Sequence, residues 1–67
     1  MNGIDMTGFK MIYQDQVFNV VEIMPMFEGP PQDGFNKPKF IDAVYVNEDG
    51  EIRSIHDEAW CFKFVRR

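Results

Sequence analysis

The sequence predicts an all-β chain folded as a small five-stranded barrel, and three observations lead there. Leucine, usually among the commonest residues, is absent from all 67 positions, and alanine occurs only at Ala43 and Ala59, so the two strongest helix formers are nearly missing. In their place stand six Val, six Ile and ten aromatic residues, side chains that lose rotamer freedom in a helix and pack well on a pleated surface. The apolar runs are also short and bounded by turn residues, without a helical period. A chain of this length is one domain whose ordering costs on the order of 100 kcal/mol, so it needs a dense apolar core or a partner subunit. An apolar content of 45% can supply that core.

Residues 1–8 carry Gly3 and no clear periodicity, and are expected to be a flexible N-terminal tail ahead of a single domain spanning 9–67. Phe9 to Tyr13 reads as a short strand, followed by a tight polar turn at Gln14, Asp15 and Gln16. Val17 to Phe27 reads as a long strand. Simple alternation puts Val17, Asn19, Val21, Ile23 and Phe27 on one face and Phe18, Val20, Glu22, Met24 and Met26 on the other. Both faces are largely apolar, as in a strand that bends through a closed barrel. The stretch Glu28 to Lys39 holds three of the four prolines and two of the five glycines, and so is a long loop. Phe40 to Val46 follows as a third strand, Asn47 to Gly50 as a turn with Gly50 in the left-handed region, and Glu51 to Ile55 as a fourth strand. Asp57 is placed to cap a single helical turn through Glu58 and Ala59, after which Cys61 to Val65 returns to β structure. The expected core is Val21, Ile23, Phe40, Val44, Ile52, Trp60, Phe62 and Phe64.

This order of short strand, long bent strand, long loop, hairpin, helical turn and final strand resembles the SH3-like small barrels, in which one 3₁₀ turn precedes the last strand. The resemblance covers about residues 9–65 and lies in element order alone. It implies a five-stranded SH3-like barrel; an OB-like or other small open β-barrel is the alternative, the former normally carrying a longer helix between its third and fourth strands.

Scarcity limits the chemistry. Ser54, Thr7, His56 and Cys61 are each the only residue of their kind. Ser54 and His56 share a strand face, and His56, Asp57 and Glu58 stand in a row, but adjacent residues of an extended chain point to opposite sides, which disfavours a metal site or a nucleophile at this spot. Cys61 between Trp60 and Phe62 has the setting of a buried, inert thiol. No Walker-type or GxGxxG glycine pattern is present. The chain is therefore expected to be no enzyme and to need no cofactor. A net charge of -4 and scattered cations (Lys10, Lys37, Lys39, Arg53, Lys63, Arg66, Arg67) argue against nucleic acid as partner, and the acids are too dispersed for a dense DNA-like row. Both a nucleic-acid-binding barrel and an acidic inhibitor mimicking DNA are kept as alternatives. The start, MNGIDMTGFK, lacks the pattern of a secretory signal, no run of eighteen apolar residues suggests a membrane span, and a lone cysteine forms no internal disulfide, so the expected home is the cytoplasm.

What remains is a contact surface. Met24, Met26 and Phe27, with Pro25 between the methionines, run into the proline-rich loop that carries Pro30, Pro31 and Phe35. Methionine is flexible and polarisable and suits an adaptable contact, and prolines stiffen a loop so that less entropy is lost on binding. The function expected is that of a small protein-binding or regulatory module using these six residues, with an unidentified protein or a second copy of the chain as partner.

Overall fold

The computed structural model describes residues 3–27 and 37–67. Six antiparallel strands make up most of it: β1 (Ile4–Asp5), β2 (Phe9–Tyr13), β3 (Gln16–Met26), β4 (Phe40–Val46), β5 (Ile52–Glu58) and β6 (Phe62–Arg66). One 3₁₀ turn, Ala59–Cys61, joins β5 to β6; the sequence predicts a single turn here but places it through Glu58 and Ala59, so it lies further along the chain and takes Cys61 from the expected last strand. The sheet runs in the order β5-β4-β3-β2-β6, with β1 paired to β3 beside this path. Six strands therefore stand where five were expected, and among the described residues no backbone pairing between β5 and β6 closes the sheet. No helix among the described residues is long and apolar enough to cross a membrane.

The extra strand replaces part of the expected tail. Ile4 and Asp5 pair with Ile23 and Glu22, and the Met6 N–H donates to the Val21 carbonyl at 2.8 Å. Asp5 Oδ1 accepts from both the N–H and the hydroxyl of Thr7, which turns the chain and drives Met6 into the core. The next turn uses Gln14 and Asp15 at φ 50 and 62, the two-residue left-handed turn that suits the twist of a hairpin, built here without glycine.

A bulge in β3 decides which residues make the core. Val20 lies opposite Tyr45 and Glu22 opposite Val44, so Val21 is an extra residue without an opposite number. Side chains alternate with a period of two, and one inserted residue exchanges the faces of everything beyond it. Phe18 and Val20 face inward before the bulge and Ile23 after it, while Val21 itself is turned to solvent. On β4 the inward residues are Ile41, Ala43 and Tyr45. The buried core is Met6, Met11, Val20, Ile23, Ile41, Ala43 and Phe62, with Phe9, Tyr13, Phe18, Ile55 and Phe64 among those packed around it. Of the expected core, Ile23 and Phe62 are buried and Phe64 is half-buried. Phe40 and Val44 lie on the opposite face of β4, and Val21, Ile52 and Trp60 are exposed, the last two at 75% and 79%.

The β4–β5 hairpin forms as expected. The Gly50 N–H donates to the Asn47 carbonyl, Gly50 has φ 79, and Asn47 Oδ1 accepts the N–H groups of Asp49 and Glu51. β5 runs three residues further than expected, to Glu58, so Asp57 belongs to a strand and does not cap the 3₁₀ turn. Its Oδ2 instead accepts the Tyr13 hydroxyl at 2.6 Å, linking β5 to β2 across the open side of the sheet.

Candidate functional site

Beyond the bulge, Glu22, Met24 and Met26 of β3 face outward, and the registers of β4 and β5 extend them into rows. Met24 stands opposite Asp42, which stands opposite His56; Met26 stands opposite Phe40, which stands opposite Glu58. Neighbouring side chains in such rows lie about 4.5–5.5 Å apart at Cβ, so one outward patch is formed by three strands. Its apolar members are half-buried or exposed: Met24 at 39%, Met26 and Phe40 half-buried, with Phe27 at 44% where the chain leaves β3. Trp60, in the 3₁₀ turn, donates its indole N–H to Glu58 Oε2 and so borders the row of Met26 and Phe40. A cleft of about 380 Å³ between Trp60, Pro38 and Lys39 opens beside it.

A polar pair is set into this patch. His56 Nδ1 lies 2.9 Å from Asp42 Oδ1, and since a carboxylate only accepts, Nδ1 carries the proton. The imidazole lies nearly parallel to Phe40, 5.5 Å between ring centres, which inclines it toward the Glu58 row and away from Ser54. A carboxylate and a histidine are thus joined as in a hydrolytic site, but the ring leans away from the hydroxyl. His56, Asp57 and Glu58 do not converge, because Asp57 faces inward to Tyr13; no group of three His, Cys, Asp or Glu side chains able to hold a metal occurs among the described residues.

A second polar cluster lies on the inward side, around Tyr13, Asp57 and Cys61. The Tyr13 hydroxyl, and after it the Glu58 backbone N–H, hold the Asp57 carboxyl below its ordinary range. Desolvation, and then the Asp57 charge, push the Cys61 thiol up, which keeps it protonated and a poor nucleophile. Arg66 and Arg67 are engaged at the other end of the sheet: the Arg66 guanidinium lies 5.5 Å from the Phe9 ring centre, and Arg67 Nε donates to the Phe9 carbonyl.

Of the six expected contact residues, Met24 and Met26 share the outer face and Phe27 is exposed just beyond the end of β3, while Pro30, Pro31 and Phe35 lie outside the described residues. Sequence reasoning missed Phe40, His56 and Trp60 as members of the patch. The signal was present in Asp42: its carboxylate shares a face with Phe40 and Val44, which marks that face as the solvent side. Comparison with protein-family models, with curated proteins and with solved structures finds no match to this chain.

Proposed function

We propose that this chain is a small non-enzymatic protein-binding module that presents the outer face of β3, β4 and β5 to a protein partner. The observation that carries the reading is the exposure of Met24 and Trp60 around half-buried Met26 and Phe40, on a face where an antiparallel sheet with one solvated side ordinarily carries polar residues, with exposed Phe27 following at the end of β3. Aromatic and methionine side chains supply contact area, and the His56–Asp42 pair supplies polar groups in fixed orientation among them. Arg66 and Arg67 stand by Phe9 at the other end of the sheet while Lys37 and Lys39 line the cleft beside Trp60, so the cations are divided between two places, which with a net charge of -4 supports a protein partner over nucleic acid. The strand order, with one 3₁₀ turn before the last strand, supports placing the chain among SH3-like small barrels, the Tyr13–Asp57 bond standing in for the missing backbone closure.

The test is affinity capture from native lysate with wild type and a Met24→Ser/Phe27→Ser double variant. Both sites are already open to water, so the variant should melt like wild type and lose the proteins that wild type retains. Equal capture by the two folded proteins would refute the assignment of this face.

A further inference from the structure

We propose that two copies of this chain pair through the free edge of β5, antiparallel and two-fold symmetric about Ile55. β5 ends the strand path, with β4 as its one partner strand among the described residues. At the hairpin end Asn47 donates its N–H to the Glu51 carbonyl, and at the other end Ala59 donates to the Lys39 carbonyl. Bonded and unbonded pairs alternate in an antiparallel ladder. Both fixed ends agree that Arg53, Ile55 and Asp57 use their backbone groups toward β4. Ile52, Ser54 and His56 therefore turn N–H and C=O away from β4, as does Glu58, whose N–H donates to Asp57 Oδ1 at 2.8 Å and whose carbonyl opens the 3₁₀ turn.

Edge strands are usually guarded against such pairing by lysine, proline or a bulge. Ile52–Glu58 contains no lysine or proline, and its register with β4 is unbroken over seven residues. β6, at the other end of the path, carries Lys63 and Arg66 and continues into Arg67, which sets like charge against its own copy. The β5 sequence IRSIHDE complements itself instead. Pairing about Ile55 opposes all seven residues: Ser54 exchanges backbone bonds with His56 of the second copy, and Arg53 faces Asp57 of the second copy. Arg53 now holds Glu51 at 3.0 Å in a surface pair, an interaction cheaply exchanged. Sliding the register two residues one way sets Asp57 against Glu51, and the other way sets Arg53 against Ala59, so charge selects the full-length pairing. The pairing uses neither Met24 nor Phe27, and its failure would leave the proposed contact face untouched.

Sedimentation and amide hydrogen exchange over a concentration series test it. The expected result is a monomer–dimer equilibrium in which the Ile52, Ser54 and His56 amides exchange more slowly as concentration rises. Ser54→Pro removes an N–H that β4 does not use, and Ile52→Lys guards the edge at a 75% exposed position where the fold cannot depend on the side chain. Each should raise the dimer dissociation constant by about tenfold or more; if Ser54→Pro fails to fold by circular dichroism, Ile52→Lys decides. A chain that stays monomeric up to its solubility limit, a dimer indifferent to the substitution, or an assembly larger than a dimer, which would need the β6 edge as well, overturns the proposal.

Discussion

Phe62 and Trp60 stand two residues apart at the entry to the last strand, and replacing each by alanine should have opposite consequences. Phe62 is 8% exposed and stacks on Tyr13 at 5.0 Å and on Phe64 at 6.3 Å, whereas Trp60 is 79% exposed. A buried phenylalanine truncated to alanine loses about 3–5 kcal/mol, through lost transfer energy and the cavity left behind. A domain of this size has roughly 3–10 kcal/mol of stability in all, so Phe62→Ala should leave it largely unfolded at room temperature or close to it. With an unfolding entropy of about 0.14 kcal/mol/K for the whole chain, a loss of 3 kcal/mol lowers the melting temperature by about 20 °C. Trp60→Ala should change stability by less than about 0.5 kcal/mol, or roughly 4 °C. Far-UV circular dichroism with urea and heat suits both variants, because Trp60 is the chain's one indole and its removal takes the tryptophan emission with it. In wild type, Trp60 should emit as a water-exposed indole and be quenched by iodide before any unfolding. A Trp60→Ala loss equal to that of Phe62→Ala would show that the 3₁₀ turn buries the indole, and would refute the placement of the last strand.

Gly50 has φ 79 with open space where a Cβ would stand, so only backbone conformation penalises substitution. Gly50→Val should lose about 1 kcal/mol or more and Gly50→Asn less, as urea midpoints will show; equal losses would reject the left-handed turn. Gln14 and Asp15 occupy the left-handed region as non-glycine residues, and Gln14→Asn with Asp15→Gly should gain about 1 kcal/mol in the same assay, where no gain would mean that the turn carries no such strain. The Tyr13–Asp57 bond lowers the carboxyl from 3.8 and raises the phenol from 10.0. The depressed carboxylate contributes stability above about pH 4 that is lost as pH falls through the folded pKa, and the raised phenol contributes stability below about pH 10 that is lost as pH rises through its own. Melting curves of wild type and Tyr13→Phe should therefore differ most near neutrality and converge at both extremes; a constant gap across pH would rule out this bond as the cause.

The all-β class, the bounds of Phe9–Tyr13 and Phe40–Val46, the hairpin turn at Gly50 and the single 3₁₀ turn were legible, because each depends on local chemistry: absent helix formers, β-branched runs, a residue that tolerates positive φ. Facing was less legible, because it depends on register. Simple alternation carried across β3 sets Val21 with Ile23, and only pairing with β4 shows the bulge that separates them. On β4 alternation alone allows either Phe40 and Val44 or Ile41 and Ala43 as the inward set, and Asp42 marks the face of Phe40 and Val44 as the outer one. Met6 and Met11 are not legible as core because methionine carries no strand signal, and Met6 reaches the core through the Asp5–Thr7 turn, a local device inside what reads as a tail.

The same reasoning bears on the contact face. Folding accounts for an apolar residue when burial rewards it, and the bulge at Val21 places Met24 and Met26 on the side where the reward is least. Methionine is not among the preferred strand formers, so at an exposed strand position it adds little to the sheet. Phe27 and Trp60 sit where their rings meet water, and the area they expose contributes to stability only when something covers it. Asp42 and His56 are polar enough to keep the patch wetted in the free chain, yet they bond to each other and so present few unmet groups to a protein that lies over them. A face that holds Met24, Met26 and Phe40 around a mutually bonded Asp42–His56 pair, carried on three hydrogen-bonded strands, is suited to burial against another surface, and that is the physical content of proposing a protein partner for it.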